Sequence, residues 1–233
     1  QKCYPHPPET IRQKLHDVEL EFLKLDLAKV MSSMQTGSDR IRNIVLSLRN
    51  FSRLDESDCK IVDIHTGLDN TILILGHRLE LNNNLGQVQV LTDYGQVPLV
   101  RCYPGQLNQV FMNILLNAID ALELAMQQQH EKGQDGLLPK IVISTQVIDR
   151  EQVEIVISDN ALGMTEAVHS QIFNPFFTTK PVGQGTGLGL AISHQVITEK
   201  HKGNLWCEST PGHGSRFIIH IPMHIDIAPS SPI

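Results

Sequence analysis

Residues 157–190 read ISDNALGMTEAVHSQIFNPFFTTKPVGQGTGLGL: one acid at the end of an apolar run, then two glycine clusters flanking a segment with Thr178, Thr179 and Lys180. Ile155-Val156-Ile157 ahead of Asp159 is of strand type. Leu188, Leu190, Ala191, Ile192 and Val196 open a helical pattern at the far end. Glycines therefore sit where strand meets loop and where loop meets helix. Gly183, Gly185, Gly187 and Gly189 alternate through the second cluster, and without Cβ atoms they let backbone amides approach a polyphosphate from a helix N-terminus. A turn of this kind also serves simply to connect two elements, so it acquires meaning from its context.

That context lies upstream. Residues 108–122 form a helical pattern with Val110, Ile114, Leu115, Ala118 and Leu122 on one apolar face. Asn113 and Asn117 stand one turn apart on another stripe. An amide oxygen there is a neutral ligand for Mg2+ that adds no repulsion when a triphosphate arrives, whereas paired carboxylates would. Two exposed polar positions on a helix are the other reading of the same pair.

Asn113/Asn117, then Asp159 with Gly163, then Phe173-Asn174-Pro175-Phe176-Phe177, then the Gly185 cluster follow the order and spacing of the N, G1, F and G2 boxes. In these residues the chain resembles the sensor histidine kinases of two-component signalling. They belong to the wider GHKL superfamily of Bergerat-fold ATPases shared with type II topoisomerases and heat-shock chaperones. The resemblance implies ATP and Mg2+ as cofactors, with Asn117 ligating the metal, Asn113 beside it, and Asp120 one turn on toward the sugar-phosphate side. It implies that Asp159 accepts a hydrogen bond from the adenine amino group. A carboxylate is acceptor-only, so it selects a base presenting a donor. Lys180 would reach the terminal phosphates from a lid, Gly185, Thr186, Gly187, Leu188 and Gly189 would form the phosphate turn, and Ser215 would lie by the adenine pocket.

One departure concerns the G1 box, usually Asp-x-Gly-x-Gly but here Asp159-Asn160-Ala161-Leu162-Gly163. If this backbone needs positive φ or direct contact with the adenine face, the Ala161 methyl strains the turn by about 1 kcal/mol and crowds the base, which weakens nucleotide binding. Ala161→Gly would then tighten it. This residue keeps open a degenerate kinase acting as an ATP-binding or non-enzymatic scaffold.

Leu20, Leu23, Leu27, Val30, Met34, Gly37, Ile41, Ile44, Leu48 and Phe51 recur at steps of three and four, the pattern of a helix in a bundle or coiled coil. The resemblance implies a homodimer through this region, a response-regulator receiver domain as partner, and a sensor domain upstream. His16-Asp17 starts like the family's phosphoacceptor box, but Val18-Glu19-Leu20-Glu21 does not continue it. The phosphoacceptor histidine is therefore expected upstream, and the chain as written is expected to bind ATP without phosphorylating itself.

The organisation expected is a helical dimerisation region over 1–60, an ATP-binding domain over 61–225 and a tail over 226–233. Asp63 suits the cap of a helix containing Leu68, Ile72, Leu75 and Leu79. Strands are expected over 88–91, 99–102, 141–147, 153–157, 203–208 and 215–221, with a helix over 104–127 and a polar loop over 128–139. The fold class is α+β, a two-layer α/β sandwich preceded by a helical segment. A net charge of −6 speaks against a nucleic-acid surface, and no uninterrupted apolar run approaches a membrane span. Cys3, Cys59, Cys102 and Cys207 are scattered as reduced cytoplasmic thiols would be, and His220 and His224 lack metal-ligand spacing.

Overall fold

A computed structural model of the chain describes residues 26–27, 29–35, 37–38, 59–81, 86–133, 136, 138–149, 151–181 and 185–224. They divide between two compact units, Gln1–Leu46 with Lys180–Gly185, and Ser47–Thr179 with Thr186–Ile233. In the first unit, residues 26–27, 29–35 and 37–38 are helical. Leu27, Val30, Met31 and Met34 lie on one stripe of this helix and are 62%, 46%, 64% and 70% exposed. The remaining positions of the expected bundle stripe apart from Gly37, together with His16 and the expected tail, lie outside the described residues.

The second unit begins with β1 (Lys60–Val62), followed by α1 (Ile64–Ile74). Asp63 caps this helix as expected, accepting the His65 backbone N–H at 2.9 Å. A one-residue break at Leu75 separates α1 from the short α2 (Gly76–Leu79). Then come β2 (Glu80–Leu81), β3 (Gly86–Gln87), β4 (Gln89–Tyr94), β5 (Val100–Cys102) and the 28-residue α3 (Pro104–Glu131). The rest is β6 (Lys140–Ile148), β7 (Gln152–Asp159), α4 (Glu166–His169), α5 (Gly189–Gln195), a π-helical turn at Val196–Lys200, β8 (Asn204–Ser209) and β9 (Ser215–Pro222).

One five-stranded sheet, in the order β4-β6-β7-β9-β8, carries the unit, with β4 parallel to β6 and every other pair antiparallel. Side chains alternate across a strand, so Val153, Ile155, Ile157 and Asp159 of β7 share one face and are all buried. Beside Ile157 the register sets Ile143 and Phe217, with Cys207 beyond, and α3 covers this face. Helices on one side of a mixed sheet make the two-layer α/β sandwich expected from the sequence. On the opposite face, Glu154 accepts from Gln146 at 2.7 Å and pairs with His220 at 2.8 Å, which holds its carboxyl below the ordinary range. His220 is thus a strand residue in a cross-strand pair.

α3 is fixed by its apolar face. Pro104 starts it, and Leu107, Val110, Phe111, Ile114, Leu115, Ala118, Ile119, Leu122 and Ala125 are buried. It runs four residues past the expected end because Gln128, Gln129, His130 and Glu131 are tolerated in helix, and it ends at Glu131, with Lys132 as its cap followed by Gly133, whose φ of 63° a Cβ would strain. It is the only helix among the described residues long and apolar enough to cross a membrane, but its apolar side is occupied by the sheet and its neighbouring helices. β4 outruns the expected 88–91 because it is an edge strand. Its mixed exposure hides the period that sequence reading relies on.

Candidate nucleotide-binding site

Asp159 ends β7 as the last inward-facing residue, which places a carboxylate in the core layer at 9% exposure. Its Oδ1 accepts the backbone N–H groups of Ala161 at 2.9 Å and Ser215 at 3.3 Å. No described residue bonds Oδ2, so one oxygen is anchored and the other remains available to a ligand. Burial pushes the carboxyl above its usual range against the pull of the two amides.

The turn after Asp159 interlocks with the β8–β9 hairpin. Gly163 has φ 67°, and a Cβ there would run into the Thr210 carbonyl; Gly214 has φ 77°, and a Cβ there would meet the carbonyl of Asp159. Both glycines are required by positive φ and by backbone approach. Ser209 completes the joint, its hydroxyl accepting Met164 N–H and donating to Gly214 O, both at 2.9 Å, while lying 3.1 Å from Ser215 Oγ. Among the described residues the non-glycine positions of positive φ are Asp149, Phe176 and Lys202, so Ala161 does not have the positive φ that would strain its methyl. Its methyl is buried at 4% exposure in the core, so no left-handed strain attaches to it.

On α3, Asn113 and Asn117 occupy one stripe but differ in environment. The Asn113 amide donates to Gly189 O at 3.0 Å and Ser193 Oγ at 3.1 Å, which ties α3 to the start of α5. Asn117, half-buried, makes no hydrogen bond to a described residue, so its amide oxygen is free to serve as a cation ligand and fits Mg2+. Asp120, one turn further, accepts from Arg78 Nη2 at 2.6 Å.

At the far end of the site, Gly187 has φ 66°, and a Cβ there would strike the Phe176 backbone. Phe176, itself at φ 66°, donates its N–H to Gly187 O at 2.8 Å. Thr186 Oγ1 accepts the Leu188 N–H at 3.4 Å, Leu188 is buried, and Gly189 opens α5 against Asn113. Lys180 and Gly185 belong to the first compact unit and are half-buried there, whereas Gly183 lies outside the described residues. The second unit joins Asn113 to Gly189 at the α3–α5 junction, with Thr186, Gly187 and Leu188 leading into α5, and Asp159 to Ala161 and Ser215 at the sheet end beside Gly163; Asn117 lies one turn along α3 from Asn113. Ser193, Ser209 and Arg78 were not foreseen. The spacing of Ser193 four residues after Gly189 on a helix was the one available signal.

A half-anchored carboxylate at the sheet end, an asparagine of α3 without a hydrogen bond to a described residue, and a glycine turn leading into α5 make a candidate nucleotide site on an α/β sandwich. Residues 102–225, more than half of the chain, match the family model described as histidine kinase-, DNA gyrase B-, and HSP90-like ATPase. The chain belongs to this family. Among curated relatives, sporulation kinase E of Bacillus subtilis (strain 168) is 36% identical over 153 residues, 66% of this chain and 18% of that protein. Two-component sensor PprA of Pseudomonas aeruginosa is 31% identical over 215 residues, 91% of this chain and 22% of that protein. The chain therefore spans about a fifth of the length of these relatives. Among solved structures, the nucleotide-free catalytic domain of histidine kinase ThkA aligns with TM-score 0.57 at 24% identity, over 71% of this chain and 96% of that one. Full-length ShkA in complex with AMPPNP gives 0.64 at 21% identity, over 85% and 39%. ThkA in complex with the response regulator TrrA gives 0.57 at 19% identity, over 96% and 54%. These structures share the fold.

Proposed function

We propose that the chain is the ATP-binding part of a two-component sensor histidine kinase, with residues 61–225 as the nucleotide domain and 1–60 as a partial dimerisation region. The observation that carries this reading is Asp159: Oδ1 is held by two backbone amides and Oδ2 is left to accept the amino group of adenine. Asn117 would hold Mg2+, which neutralises phosphate charge when bound. The phosphoacceptor imidazole nitrogen attacks the γ-phosphorus, ADP leaves, and an aspartate of a response regulator then takes the phosphoryl group from the histidine. Positioning and charge neutralisation do most of such catalysis. The exposed stripe Leu27, Val30, Met31 and Met34 supports homodimerisation, since a helix showing such a face needs a partner helix. ATP as substrate supports a cytoplasmic setting for this part of the protein. Ala161 carries no positive φ, which speaks against strain as a ground for a degenerate scaffold; contact of its methyl with the base is the other ground, and the titration below tests it.

The test is a calorimetric titration of the chain with a non-hydrolysable ATP analogue and Mg2+, beside Asn117→Ala and Asp159→Ala. Saturable binding lost in both variants supports the reading. A parent chain that binds nothing overturns it. Phosphorylation of a separately supplied helical segment bearing the phosphoacceptor histidine then tests the kinase step.

A further inference from the structure

Asn117 is followed one helical turn later by an acid, and residues three or four apart on a helix face are neighbours. Asp120 therefore stands beside the residue placed on the metal, with Glu123 a further turn along. A polyphosphate entering here meets carboxylates of its own sign, which repel it more strongly as water is excluded. The guanidinium of Arg78 answers both acids. Reaching across from α2, its Nη2 lies 2.6 Å from Asp120 Oδ1 and 3.7 Å from Glu123 Oε2. All three side chains are largely shielded, with 35%, 28% and 17% of their surface exposed. Arg78 Nε is buried without a hydrogen-bond partner. A buried donor left unbonded costs stability, so Arg78 sits here at a cost that its Nη2 ion pair must offset.

We propose that Arg78 is a positioning residue of the nucleotide site: it cancels the charge of Asp120 and Glu123 beside Asn117, so that the stripe accepts a nucleoside triphosphate. The proposal rests on the nucleotide reading given above. It predicts an effect confined to the phosphate tail, because adenosine carries no charge for these acids to repel.

The experiment titrates adenosine and a non-hydrolysable ATP analogue, with Mg2+ present, into the parent chain, Arg78→Ala, Arg78→Lys, and the triple variant Arg78→Ala/Asp120→Asn/Glu123→Gln, with circular dichroism to verify folding. Arg78→Ala is expected to weaken the ATP analogue about tenfold and leave adenosine within about twofold, with Arg78→Lys recovering most of the loss. The triple variant, having lost the acids with the cation, is expected to bind the ATP analogue more tightly than Arg78→Ala does. Equal loss of both ligands in Arg78→Ala would show a structural staple and overturn the proposal. A triple variant as weak as Arg78→Ala would overturn it too, because the acids would then not be the obstacle. A parent that binds neither ligand removes the nucleotide reading itself, whereas a parent that binds both and an Arg78→Ala variant that matches it removes this inference alone.

Discussion

Asp159 is an acid in a place where folding alone would favour a neutral residue. Its pKa is raised by burial, so in the acid range between the unfolded and folded values the native state holds the proton more tightly than the unfolded state does. Its contribution to stability therefore falls as pH rises through that window, and at neutral pH the buried charge is a cost. Asp159→Asn keeps an acceptor for Ala161 and Ser215 N–H but turns a donor toward the ligand. The variant is expected to melt higher than the parent at pH 7 while binding ATP about 100-fold more weakly, and to discriminate less against a 6-oxo purine nucleotide. Thermal melts and competitive titrations with ATP and GTP check both; a lower melting temperature with unchanged ATP affinity would reject this account. Ala161→Gly should leave ATP affinity within about twofold and cost about 0.5–1 kcal/mol in denaturant unfolding, since a buried methyl is lost and chain entropy gained. Tightened binding would return the strain argument. The placement of Asp159 at a strand end and of Asn117 on a helix stripe was legible in the sequence from the neighbouring apolar runs, whereas the roles proposed for them came from the family resemblance. The backbone of Ala161 was not legible, because φ depends on how the turn meets residues fifty positions away at Thr210 and Gly214.

The elements were read well where a single face is buried. α1 capped by Asp63, α3 with its Asn stripe, β6, β7, β8 and β9 all follow hydrophobic period and turn chemistry. The π-helical turn at Val196–Lys200 follows no such rule, and it delivers a histidine into the core. His201 is fully buried, accepts the Tyr103 N–H on Nε2 at 3.2 Å, and approaches Val196 O through Nδ1 at 3.0 Å. These bonds fix the neutral Nδ1–H tautomer and tie the π turn to the start of α3. Burial lowers the His201 pKa, so below about pH 6.5 the unfolded chain binds a proton that the native chain refuses. The stability His201 contributes is complete above the unfolded pKa and declines as pH falls beneath it. Melting temperature should drop between pH 7 and pH 5, and His201→Gln, starting lower, should show a shallower slope. Parallel slopes would place the acid sensitivity elsewhere. Arg78 escaped sequence reading for a related reason: its partner lies forty-two residues away, and pairs at that range follow no local period.

Across the whole molecule, the first unit presents a helix with Leu27, Val30, Met31 and Met34 in the open. An apolar stripe of this kind is costly in water and stable against a second copy. If the proposed dimer forms through this stripe, Val30→Glu with Met34→Glu should shift sedimentation to the monomer while leaving binding of the ATP analogue unchanged; a parent that sediments as a monomer would reject the assembly. The nucleotide unit carries its own core, which is why the two properties should separate. The bond from Phe176 N–H to Gly187 O has one more consequence. It brings together the two ends of residues 177–186, so the chain leaves and re-enters the site at a single gate. Loop closure grows only with the logarithm of length, and doubling this stretch adds about 0.6 kcal/mol. A change of length between these two ends therefore costs little closure entropy, because the Phe176–Gly187 bond already holds them together.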